Sequence, residues 1–228
     1  MLRVAALLAS FAALTAPLVA RADERATISI EVVQDIPAAE PGNERFVVQA
    51  PSDAAVAGVA SFGPFRVLDG TRAALVGPTD AATPREFARM LLAFPGLRTL
   101  EMIECPGTSD DTANLRLGRM IRRAGLDTHV PADGSVRSGA VELFLAGRRR
   151  TAEPGAEFAV HSWQDVDGRE ADDVAAEDPV NLSYLAYYRE MGLSEAQARR
   201  VYAMTNSAPH EGALWLSLGE FADYAPLN

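Results

Sequence analysis

From residue 83 onward the sequence alternates strand-like runs with amphipathic helical stretches, and this order limits the fold more than any other feature. Thr83-Pro84-Arg85-Glu86 has the pattern of a capping box with proline at the first helical position, and Phe87, Met90, Leu91 and Phe94 follow at helical spacing. Arg98 to Ile103 reads as a strand and Pro106-Gly107 as a turn; Thr112 to Arg123 reads as a helix with Leu115, Met120 and Ile121 facing inward and Gly125 ending it. Thr128 to Val130 begins another strand, and a loop through Asp133-Gly134 leads to Ser138 and a short apolar helix ending at Gly147. Glu157 to His161 is strand-like again. Two helices, Asn181 to Met191 and Ser194 to Met204, are expected to close the chain, the second opened by a Ser194-Glu195-Ala196-Gln197 capping box. Such alternation predicts an α/β layered domain.

The first third is strand-rich. Thr27 to Val33 alternates apolar and polar residues, Arg45 to Val48 gives a short strand signal, and Phe65 to Val76 brackets a hairpin turn at Asp69-Gly70. Pro37 to Asn43 reads as a linker. Residues 1–22 have the build of a secretory signal peptide: Arg3 opens it, Val4 to Leu14 is an uncharged apolar run, and Ala20-Arg21-Ala22 supplies a small-x-small cleavage site. The expected organisation is therefore a signal peptide over 1–22, amino-terminal strands and linker over 23–60, and the main domain over 61–228. The mature product is expected to be exported, periplasmic or secreted.

Composition removes several chemistries. The 228 residues are 48% hydrophobic and 23% charged, which suits one or two ordinary globular domains. All 21 basic residues are arginine, so the chain has no lysine for a Schiff base, a Ser-Lys pair or a P-loop. A net charge of −10, with Arg148-Arg149-Arg150 as the longest basic run, predicts no nucleic-acid partner. Cys105 is the sole cysteine, so no intramolecular disulfide forms. His129, His161 and His210 lie far apart in sequence with no ligand spacing such as His-Glu-x-x-His, and the acid-rich stretch from Gln164 to Asp178 reads as a solvated loop. No metal or cofactor is expected.

Two residues carry the chemistry. Ser138 sits where a strand and loop hand over to a helix, beside unpaired backbone N–H groups, and an ordinary capping serine fits the same local sequence. His161 lies 23 residues on, at the end of the apolar run Phe158-Ala159-Val160, where a side chain emerges from a sheet edge; a buried structural histidine fits there too. Cys105 is a rival nucleophile whose plainer role is a small buried apolar residue. Arg137 is a candidate for reading a substrate carboxylate, against the commoner role of a surface arginine. The Ser138 context lacks both glycines of a Gly-x-Ser-x-Gly elbow, which disfavours an α/β-hydrolase.

Taken in order, Pro106-Gly107, Ile121-Arg122, Gly125-Leu126-Asp127-Thr128, Ser138-Gly139-Ala140, Phe144-Leu145-Ala146-Gly147-Arg148-Arg149, Pro154-Gly155-Ala156 and His161-Ser162 resemble the Clp protease proteolytic subunit superfamily, and within it the exported, ATP-independent ClpP-like branch. The resemblance runs from about Phe65 to Tyr224. It implies a ClpP/crotonase-like spiral of β-β-α units, a serine hydrolase acting on peptide or acyl substrates, self-assembly into a homo-oligomer and no ATPase partner. Carried over by position, Ser138 takes the nucleophile's place and His161 the general base's, while backbone N–H groups of Gly107, Thr108 and Gly139 take that of the oxyanion hole. The family's orienting acid falls near Ala213, which is not an acid; Glu211 is the nearest replacement, with Asp165 and Asp167 as others. Without such an acid the histidine adopts the wrong tautomer more readily, so the alternative is a non-catalytic binding or assembly protein on the same fold.

Overall fold

The computed structural model describes residues 56–228 together with the backbone of Arg45–Phe46. The signal peptide, the strand expected over Thr27 to Val33 and the Pro37 to Asn43 linker lie outside the described residues.

The described strands and helices appear in a repeating order. After β1 (Arg45–Phe46) come β2 (Ala60–Phe62), β3 (Phe65–Val67), β4 (Arg72–Val76) and α1 (Thr83–Ala93). Three β-β-α units follow: β5 (Thr99–Cys105), β6 (Gly107–Thr108) and α2 (Asp111–Ala124); β7 (Asp127–Val130), β8 (Ser135–Arg137) and α3 (Ala140–Leu145); β9 (Arg150–Ala152), β10 (Glu157–Val160) and α4 (Pro179–Glu190). The chain closes with α5 (Glu195–Thr205), β11 (Leu214–Ser217) and α6 (Leu218–Tyr224). This mixed α/β architecture, built from stacked β-β-α units, is the one the resemblance implies.

Nine strands form the main sheet, which forks at β5. The first half of β5, Thr99 to Glu101, pairs in parallel with β7, whereas its end, Glu104 and Cys105, pairs in parallel with β8. One branch continues from β7 to β9, the other from β8 through β10 to the antiparallel edge strand β11. On the opposite side β4 lies parallel to β5, and β3 and β2 complete an antiparallel edge. The fork matters because it sets β8 and β10 side by side, running the same way, with their carboxyl ends together.

Local signals explain most boundaries. The β3–β4 hairpin turns through Asp69-Gly70 as expected, with the Asp69 carboxylate accepting the N–H groups of Thr71 and Arg72. Gly125 ends α2 in the left-handed conformation with φ 68°. The α5 capping box forms between Ser194 and Gln197. At α1 the expectation needs correction: Thr83 is the first helical residue, not the cap. Asp80 does the capping work from outside the helix, its Oδ1 accepting the N–H groups of Ala82 and Thr83 and the Thr83 hydroxyl.

A second correction concerns the end of the chain, which carries β11 and α6 beyond the two helices expected there. Tertiary packing creates them. Phe221 of α6 stacks on Phe158 of β10 at 4.1 Å between ring centres, and Phe144 of α3 meets both rings. All three are fully buried, so each contributes about 1.5–3 kcal/mol of apolar burial to a cluster that fastens three separate elements.

Candidate active site

Ser138 is the residue after β8 and His161 the residue after β10. Because Ala159 pairs in parallel with Arg137, the two residues leave adjacent strands at the same end of the sheet. Their side chains meet, with Ser138 Oγ 2.6 Å from His161 Nε2. Both residues are fully buried. The contact gives the buried hydroxyl and Nε2 a partner in each other and places a base on the serine proton.

The backbone at Ser138 is unusual. Its φ is 52°, and it is the single non-glycine residue with positive φ among the described residues. An L-residue in the left-handed region costs about 1–2 kcal/mol, and such strain persists only where the surroundings impose it. Here the Ser138 N–H donates to the Ala159 carbonyl at 2.7 Å and its own carbonyl accepts from Val141 N–H at 3.0 Å, which locks the residue between β10 and α3.

Gly139 follows and must be glycine for reasons of space. A Cβ there would lie 2.6 Å from Thr108 Cγ2 and 3.2 Å from Asn114 Nδ2. The contact brings Thr108 against the start of α3, so Thr108 and Gly139 flank Ser138 as one cluster. At Pro106-Gly107-Thr108 the special backbone angle falls on Gly107, with φ 123°, while Thr108 keeps a negative φ. A threonine is therefore accommodated after Pro106-Gly107 without strain. Gly107–Thr108 also pairs antiparallel with Arg45–Phe46, so the chain itself occupies this strand edge.

Residues that the sequence did not single out hold this cluster together. Asn114 of α2 donates from Nδ2 to the Gly139 carbonyl at 2.6 Å and accepts from the Thr79 hydroxyl at 3.1 Å. Thr79 N–H donates to the Gly107 carbonyl at 3.0 Å, and the Thr108 hydroxyl donates to the Thr79 carbonyl at 3.2 Å. Asn114 left one trace in the sequence: a polar residue on the buried face of α2, between Asp111 and Leu115. Thr79, in a loop, left none.

The neighbouring candidates resolve differently. Arg137 is buried, 1% exposed, and its guanidinium pairs with Glu104 and donates to Ser135 Oγ at 2.6 Å. It braces β8 against β5 and is not the surface arginine expected. Cys105 is fully buried with its thiol donating to the Leu75 carbonyl at 3.5 Å, and burial pushes that thiol far up, with Glu104 adding to the rise. A thiol held protonated in this way is a poor nucleophile.

None of the acids expected beside His161 is shown in contact with it. Glu211 is exposed, and Asp165 is turned to Arg169, whose Nε donates to Asp165 Oδ2 at 2.8 Å. Asp167 lies at 3.7 Å from the same guanidinium and is itself well exposed. The ring that meets His161 belongs to His210, edge-to-face at 4.8 Å between centres. Sequence spacing gave no hint of this, since the two histidines come together through tertiary contacts of the 206–210 loop with the residues after β10 and the pairing of β10 with β11.

No family profile matches the chain, and no curated protein does. Solved structures similar to it include a variant of ClpP1 from Listeria monocytogenes, with TM-score 0.49 and 19% identity over 68% of this chain and 88% of that one. The 1510-N membrane-bound stomatin-specific protease is similar in a variant bound to a substrate peptide, with TM-score 0.44 and 13% identity over 66% of this chain and 71% of that one. A second variant of that protease gives TM-score 0.46 and 13% identity over 69% and 76%.

Proposed function

We propose that this chain is an exported ClpP-like serine hydrolase acting on peptides, with Ser138 as nucleophile and His161 as general base. The observation that carries the reading is the 2.6 Å contact between Ser138 Oγ and His161 Nε2 at a serine held in left-handed backbone. An ordinary capping serine needs neither a histidine on its hydroxyl nor a strained φ. In the reaction, His161 Nε2 takes the hydroxyl proton as Oγ attacks a carbonyl carbon. The carbonyl oxygen becomes an oxyanion, and the resemblance assigns the backbone N–H groups of Gly107, Thr108 and Gly139 as the donors that receive it. His161 then returns the proton to the departing amine, and water repeats the sequence to release the acyl group.

Export, supported by the signal-peptide pattern of residues 1–22, accounts for operation without an ATPase partner. The proposed substrates are accordingly short or unfolded chains. The resemblance further suggests assembly into a homo-oligomer, which sedimentation at high concentration would reveal and a strict monomer would exclude.

Intact mass after treatment with a fluorophosphonate probe tests the chemistry, with Ser138→Ala and His161→Ala run in parallel. One adduct on the native protein, absent from both variants, is expected. A folded native protein that takes no adduct would favour the binding or assembly role, and an adduct surviving Ser138→Ala would move the nucleophile elsewhere.

A further inference from the structure

We infer that His210 is a positioning residue for His161, orienting its ring by packing where Ser-His-acid sites orient it by a carboxylate; the inference rests on the Ser138–His161 reading above. The loop carrying His210 is tied to the residues after β10. Ser162 N–H donates to the Ala208 carbonyl at 2.8 Å, and Asn206 Oδ1 accepts the Trp163 N–H at 3.4 Å. His210 N–H donates to Glu170 Oε1 at 3.1 Å.

The ring itself is fixed by one bond. His210 Nδ1 lies 3.1 Å from the Ser162 carbonyl oxygen, which only accepts, so Nδ1 carries the hydrogen. Thus held, the ring stands edge-to-face against His161, at 4.8 Å and 62° between planes. An imidazole turns about χ2 in a broad, roughly two-fold well, so its plane is set mainly by what it packs on. His210 limits that rotation. By holding the plane it keeps Nε2 of His161 on Ser138 Oγ, and an Nε2 that accepts the hydroxyl hydrogen leaves Nδ1 as the protonated nitrogen, the tautomer a general base needs.

The test uses three substitutions and two readouts on the full chain. His210→Phe keeps the aromatic edge and removes the bond to Ser162; His210→Asn keeps a donor near Nδ1 and removes the ring; His210→Ala removes both. The first readout is the long-range 1H–15N spectrum of the imidazoles, simple because the chain has three histidines. His129→Gln and His161→Gln provide the assignments. His161 is expected as a single tautomer protonated at Nδ1 in the native protein and in His210→Phe, and as a tautomer mixture in His210→Ala. The second readout is the fluorophosphonate labelling rate. A misplaced base costs about 10- to 100-fold, so His210→Ala should label that much more slowly and His210→Phe should recover most of the loss.

An unchanged His161 tautomer in folded His210→Ala overturns the inference. So does His210→Asn behaving as native protein in both readouts, which decides the matter even if the alanine variant does not fold. Should the native protein fail to label at all, the hydrolase reading falls, while the tautomer spectra still decide the role of His210 separately.

Discussion

At the scale of single residues, the site is defined by groups whose surroundings leave them one role each. Cys105 shows this by exclusion: with its thiol fully buried and pushed up by desolvation, it should resist an aromatic disulfide reagent in folded protein and react stoichiometrically once the chain is unfolded in guanidinium. Prompt reaction in the native state would show that the strand end at β5 opens. Ser138 invites a comparison of two variants that both delete the hydroxyl. Ser138→Ala keeps a Cβ at φ 52° and Ser138→Gly does not, so the glycine variant should be more stable by about 1–2 kcal/mol in urea denaturation. Equal midpoints would mean that the left-handed angle relaxes when the hydroxyl is lost. Among the side chains, Ser138 and His161 stood out by their places at element ends, and the family resemblance gave them their roles. The sequence did not point to Asn114, Thr79 or His210, whose contributions arise from partners 25 to 48 residues away in the chain.

At the scale of elements, close packing decides which segments the local pattern reveals. Helix α2 lies against α4 at Gly118, where an added Cβ would sit 1.9 Å from the Tyr187 hydroxyl oxygen. Tyr187 has little room to move, being fully buried with its hydroxyl donating to the Glu142 carbonyl at 2.6 Å. Gly118→Ala should therefore cost about 1–3 kcal/mol, and Tyr187→Phe in the same chain should relieve part of that cost, a coupling visible in a double-mutant cycle. Additive losses would show that the helices separate freely. The helices α1 to α5 and the strands β5, β7 and β10 were readable because caps, turn residues and periodicity are local, and their boundaries came out within a few residues; the two- and three-residue strands β6, β8 and β9 are too short to show a period and were not. The β11–α6 segment was not readable, since its identity depends on Phe221 reaching Phe158 and Phe144. The strand β1 gives a further test. Replacing Arg45 and Phe46 with proline removes two backbone donors, so amide exchange in Gly107–Thr108 should quicken by about tenfold or more while β5 stays protected. Unchanged exchange would mean that this edge is covered by something other than β1.

At the scale of the whole molecule, the forked sheet brings chemistry and stability to the same place. The branch carrying β8 and β10 delivers Ser138 and His161 together, and the aromatic cluster of Phe144, Phe158 and Phe221 fastens β10 to α3 and α6. Complete burial of Ser138 and His161 means that a carbonyl reaches Oγ only when covering groups move aside. Access, and not proton transfer alone, is thus a candidate for the slow step of any turnover. The α/β class was legible from the alternation of patterns and the β-β-α order only through the family resemblance, whereas the fork at β5 was not, because pairing one strand with two neighbours leaves no mark on its own residues. The left-handed angle at position 138 has a meaning beyond geometry. Glycine would suit that turn better, so the chain carries the hydroxyl at position 138 against the preference of its own backbone.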